Sequence, residues 1–160
     1  GGLMLMWVCD IIVAADDASF RDMTVEFGVN GVEWFNHPWE LGIRKAKELL
    51  FTGDAIDAAE AHRLGMVNHV LPRDELHEFT LAIAARIAAK PSFSLKLAKL
   101  AVNQTLDVQG FQLAQQQAFG LQHVGHAHAR VEHVRATVTD MFPGAVRSRK
   151  PFESPSPDDA

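Results

Sequence analysis

From Ile43 onward, apolar residues recur every three or four positions, and only a few strong helix breakers interrupt the pattern. Ile43, Ala46 and Leu50 form one stripe and Gly53 stands behind them as a stop, so the spacing predicts a helix over 42–51. Asp57 is a good N-cap for a helix over 58–64, which Gly65 closes. Residues 66–71 alternate loosely and read as a short strand ending at Pro72. Asp74 is placed to cap a long helix through 89, with Leu76, Phe79, Ile83 and Ile87 on one face, and Lys90-Pro91 ends it. Ser92 or Ser94 opens the next, with Leu95, Ala98, Val102 and Leu106 in register. Gly110 separates it from an amphipathic segment over 111–124.

The opening of the chain reads differently. Residues 2–9 suit a short buried helix, or a helix followed by a strand. Residues 10–15 are β-branched and short, a buried strand. Asp16-Asp17 is a turn, and 18–21 a second, very short strand. Residues 24–39 are expected to be irregular: Gly28, Asn30-Gly31 and Pro38 favour turns. Phe27, Trp34, Phe35 and Trp39 lie in the same stretch, so it must pack against something or enclose something. From Pro143 the composition shifts to prolines, serines and closing acids, which predicts a disordered tail over 143–160. The class is therefore α/β and helix-rich. Residues 1–72 form part of a sheet-containing core and 73–142 a helical region. So few strands imply that most of a sheet lies upstream. The start on Gly1-Gly2 rather than Met fits a piece of a longer chain.

Composition narrows the function. With 48% hydrophobic residues and a net charge of −5 over 160 residues, the chain can bury a core. Fifteen basic against twenty acidic residues give no pull toward nucleic acid. No apolar run approaches the roughly 18 residues of a bilayer span. A single cysteine, Cys9, provides no disulfide framework, favours a cytoplasmic setting, and suits a small buried apolar side chain. Eight histidines invite a metal reading, but His123, His126, His128 and His133 do not share one helix face, and no HExxH or cysteine partner accompanies them. No metal is expected. The run Gln115-Gln116-Gln117 carries no specific message, and Arg44-Lys45 with Lys47 reads as a solvated helix face.

Four stretches, taken in order, carry a resemblance. Gly1-Gly2 followed by Leu5 and Cys9-Asp10-Ile11-Ile12 is similar to the diglycine helix and "CD" strand of the enoyl-CoA hydratase/isomerase, or crotonase, family. Glu48-Leu49-Leu50-Phe51-Thr52-Gly53 resembles its "ELLxTG" helix. Glu60-Ala61 with Gly65-Met66-Val67-Asn68 resembles its "EAxxxGLVN" helix and strand. Lys90-Pro91, Ala98-Lys99 and Val102-Asn103 form a weaker echo. The resemblance implies a spiral of repeated ββα turns with a C-terminal helical region, assembled as homotrimers or hexamers. It also implies an acyl-CoA substrate, with coenzyme A arriving as part of that substrate and no separate cofactor.

The family holds the thioester oxygen with two backbone N–H groups, and the resemblance puts one of them on Gly1. Such a donor aimed at a developing enolate is worth about 2.7–4 kcal/mol. A chain starting at Gly1 carries an amine there, so the fragment alone is expected to be inactive. The two glutamates that handle water in the family's hydratases fall on Met4 and Thr24, neither of which can do acid–base work. This leaves a nominal hydratase or isomerase, a non-catalytic acyl-CoA-binding relative, or another enolate reaction such as hydrolysis. Glu33, between Val32 and Trp34, is the expected substitute acid, desolvated by Trp34 and Phe35, with Asp22 and Glu26 behind it. Gly2, Met4, Asp22, Thr24 and Trp34 are expected to line the substrate pocket.

Overall fold

A computed structural model describes residues 1–141 of the chain. The expected tail over 143–160 lies outside the described residues. Helix α1, Gly2–Met6, leads through bends to β1, Val13–Ala15, and β2, Ser19–Arg21. A 3-10 turn, Thr24–Phe27, and a loop connect to α2, His37–Leu41, and α3, Ile43–Thr52. Then come β3, Ala55–Asp57, α4, Ala58–Leu64, and β4, His69–Leu71. Three helices complete the described chain: α5, Leu76–Ala88, α6, Ser92–Val108, and α7, Phe111–Met141.

The strands pair in twos. β1 and β4 run parallel, with Ala14 opposite Val70, and Asn68 Oδ1 accepts the Ile12 N–H at 2.8 Å to hold the entry to that pair. β2 and β3 run antiparallel, with Phe20 opposite Ile56. Local chemistry sets the helices between them. Asp57 caps α4 by accepting the Glu60 N–H at 2.8 Å, and Gly65 ends it in the left-handed conformation. Gly53 ends α3 in the same way, at φ 70°. An alanine there would also put its Cβ 2.5 Å from Glu26 Oε1.

One core joins these parts. Trp7, Ala14, Val32, Leu41, Ile56 and Val67 are among its buried members, and Met4 packs against it from α1. Ala58 and Ala61, both fully buried, let α4 sit close against the strands.

Several expectations are corrected. Residues 10–12 are not strand; β1 begins only at Val13. Cys9 is exposed rather than buried, on the wall of an open crevice between α1 and α5, its Sγ 3.6 Å from the Leu5 carbonyl oxygen. The loop over 24–39 is partly helical, because Pro38 sits in the first turn of α2, where its missing N–H is harmless. Asp74 does not cap α5. A turn closed by the Glu75 N–H to the Pro72 carbonyl delays the helix and leaves Glu75 at the cap position. Helix α7 runs 31 residues, far past the expected end at 124.

The reason for that length is the surface α7 covers. Gln115, Ala118, Gln122, Gly125 and Ala129 fall on one face and lie along the loop between the 3-10 turn and α2. Gln115 Oε1 accepts the Phe35 N–H at 2.8 Å, and its Nε2 donates to the Phe35 carbonyl and to Asn36 Oδ1 at 3.1 Å each. Asn30 Nδ2 donates to the Ala118 carbonyl at 3.2 Å, and Gln122 reaches the Gly31 carbonyl. The glutamine run, unspecific as sequence, is what fastens this loop.

Candidate functional site

Gly1 and Gly2, at the start of α1, wall a cavity of about 450 Å³ together with Phe20, Asp22, Thr24 and Val32. A Cβ added to Gly1 or Gly2 would meet nothing within 4 Å. Within this chain nothing packs closely enough on the helix start to require glycine at either position, and the space beside it is open. Four of the expected site residues, Gly1, Gly2, Asp22 and Thr24, are thus brought together. Three are not. Met4 turns to the core. Trp34 lines a different crevice with Trp7 and Trp39, and its ring meets Phe111 edge-on at 5.8 Å. Glu33 is exposed and is not among the residues lining the cavity beside Gly1. The desolvation expected for it fails because Trp34 packs onto α7 instead of over the carboxylate.

The centre of the site is Asp22, a buried member of the cavity wall. Its Oδ1 accepts from the Thr24 N–H at 3.0 Å and from Thr24 Oγ1 at 2.7 Å. Its Oδ2 accepts from the Val32 N–H at 2.9 Å and from His37 Nε2 at 2.8 Å. Burial alone would raise its carboxyl, but the bonds from His37, Thr24 and Val32 outweigh it and hold the group well below the usual aspartate range. The carboxylate only accepts, so the shared His37 proton sits on Nε2.

His37 was missed in the sequence. It is 2% exposed, with the Trp7 and Phe35 rings each 4.7 Å from its own. Its Nδ1, like Trp7 Nε1, is buried with no hydrogen-bond partner among the described residues. The available signal was a histidine next to a proline inside an aromatic stretch, but its partner lies fifteen positions back and no periodicity joins the two. Gly31 is the hinge that lets them meet. Its φ is 149°, and a Cβ there would strike the Phe35 ring at 2.6 Å.

Glu26 pairs with Arg21 at 2.7 Å, and Arg21 Nε also donates to the Gly53 carbonyl. On α3, Lys45 pairs with Glu48 at 3.1 Å. Among the described residues no group of three histidine, cysteine or acidic side chains is placed to hold a metal ion, and no helix is long and apolar enough to cross a membrane.

The model of the enoyl-CoA hydratase/isomerase family matches residues 1–140. The chain belongs to that family. A Mycobacterium tuberculosis protein named as an enoyl-CoA hydratase is 52% identical over 128 residues, covering 79% of this chain and 40% of that protein. Two solved structures named as enoyl-CoA hydratases share the crotonase fold. The one from Mycobacterium thermoresistibile has a TM-score of 0.81 at 54% identity, covering 82% of this chain and 55% of that one. The one from Mycobacterium smegmatis has a TM-score of 0.79 at 56% identity, covering 81% and 53%. The chain therefore spans about half the length of these family members, or less.

Proposed function

We propose that the full-length protein binds an acyl-CoA thioester in the cavity beside Gly1, with the Gly1 backbone N–H as one of the donors to the thioester oxygen. The observation that carries this reading is the open diglycine on the wall of a cavity shared with Asp22 and Thr24. An amide donor at a helix start is suited to an oxygen that gains negative charge as an enolate forms. The nominal reaction is that of an enoyl-CoA hydratase or isomerase. The proposed setting is the cytoplasm and the proposed assembly a homotrimer or hexamer, which light scattering of the full-length protein reads directly.

A second reading, an acyl-CoA-binding relative without catalysis, is favoured by the state of the polar groups at the cavity. Met4 packs in the core, and Asp22 is saturated with donors and too weak a base to take a proton. Incubating the full-length protein with crotonyl-CoA separates the two. Loss of the enoyl absorbance supports the hydratase reading. Measurable binding with unchanged absorbance supports the second. Release of free coenzyme A assigns hydrolysis instead. Failure of any acyl-CoA to bind refutes both readings.

A further inference from the structure

The crevice that holds Trp34 is a cavity of about 600 Å³ and shares no lining residue with the one beside Gly1. All three tryptophans of the chain, Trp7, Trp34 and Trp39, line it. Phe111 meets Trp34 and Trp39 edge-on, at 5.8 and 5.5 Å, so that ring covers neither indole face to face. The charge on the wall is unbalanced. Asp10, Glu40 and Asp107 are acidic, and the basic residue beside them, Lys99, is paired with Asp10. Glu40 and Asp107 have no ion pair among the described residues.

Glu40 is held in place on this wall. It is half-buried in α2. Buried Asn36 donates from Nδ2 to Glu40 Oε1 at 2.6 Å, and Gln115 Nε2 orients that amide by donating to Asn36 Oδ1 at 3.1 Å. Glu40 Oε2 has no hydrogen-bond partner among the described residues. Burial pushes the Glu40 carboxyl above the ordinary glutamate value, and the bond from Asn36 offsets only part of this. A positive charge supplied from the cavity would favour the ionised form.

We propose that this cavity binds a small organic ammonium ion, its head against the tryptophan rings and its charge paired with the Glu40 carboxylate. Indole attracts cations more strongly than the other aromatic rings, and the attraction grows where water is excluded. Hard metal cations instead require several oxygen ligands, and aromatic rings supply none. An anion would meet unpaired carboxylates. The inference goes beyond the acyl-CoA reading and does not depend on it.

The test titrates the full-length protein with choline and with 3,3-dimethyl-1-butanol, its neutral isostere, by calorimetry and tryptophan fluorescence. Choline is expected to bind at least about tenfold tighter, because the two differ in charge and hardly in shape. Glu40→Gln keeps an acceptor for Asn36 and should weaken choline about five- to tenfold while leaving the alcohol unchanged. Trp39→Leu should weaken choline by a similar factor. Asp74→Asn, which removes an equal charge away from this wall, should leave choline binding unchanged. Equal affinity for choline and the alcohol, equal weakening by Glu40→Gln and Asp74→Asn, or absence of choline binding overturns the inference. None of these results touches the acyl-CoA reading, which the crotonyl-CoA experiment tests by itself.

Discussion

Replacing Gly125 with alanine adds one methyl group to α7 where the helix crosses the Gly28–Val29 backbone. The new Cβ would lie 2.6 Å from the Gly28 carbonyl oxygen, 3.2 Å from Val29 Cα and 3.3 Å from Val29 Cγ1. These are backbone atoms and a short branched side chain, so none can swing aside, and α7 or the loop must move. Two effects then oppose each other. Alanine is favoured over glycine inside a helix by about 1 kcal/mol. Overpacking costs about 1–3 kcal/mol. Gly120, one and a half turns earlier in α7, has nothing within 4 Å of an added Cβ and isolates the first effect. Gly120→Ala should therefore raise stability by about 1 kcal/mol, while Gly125→Ala lies about 1–3 kcal/mol below it, the cost of the contact alone. Urea unfolding of the full-length protein and both variants, followed by tryptophan fluorescence, measures the gap. Equal stabilisation by the two alanines would show that α7 does not press on the Gly28 carbonyl, and the account of its small-residue face would be wrong.

Asp22→Asn should lower stability by on the order of 3 kcal/mol at neutral pH, since an amide nitrogen in place of one carboxylate oxygen leaves buried donors of Thr24 or of Val32 and His37 without an acceptor. Because the folded carboxyl is held below its ordinary value, its contribution is fully present above about pH 4 and is lost as pH falls toward the folded value. Acid titration of stability should thus be flatter in Asp22→Asn than in the wild type, and equal slopes would contradict the assignment. Gln115→Leu deletes three hydrogen bonds to the loop, and exchange of the Phe35 amide should quicken at least ~10-fold by hydrogen-exchange NMR. Asp57→Ala removes the α4 cap and should cost about 0.5–2 kcal/mol in the same urea assay. Glu33→Gln should leave turnover or acyl-CoA affinity close to wild type, in keeping with an exposed side chain, whereas loss of most activity would restore an acid–base role to Glu33.

What could be read from the sequence was what neighbouring residues decide. Asp57, Gly65 and Gly53 act on backbone groups within a turn of themselves, so α4 was legible to the residue and the end of α3 to within one. β3 was not, because Ala55–Asp57 has no pattern of its own and becomes a strand only by pairing with β2, more than thirty positions earlier. Asp74 misled because a local turn from Pro72 moved the helix start by a residue. The candidate site divides in the same way. The diglycine motif with Thr24 pointed to the cavity, whereas the environment of Glu33 depends on where α7 lies. The pairing of Asp22 with His37 depends on a loop closure at Gly31 that no spacing rule encodes.

The grip of α7 on the loop over 28–36 ties the last helix of the described chain to a loop near its beginning as one mechanical unit. The Val32 amide and the His37 ring, which keep Asp22 in place, are anchored through side chains some eighty to ninety positions away. A premature stop ahead of Phe111 would leave every residue of the cavity wall in the polypeptide and still dissolve the arrangement. Loss-of-function truncations in this gene should therefore map well downstream of the residues whose work they abolish.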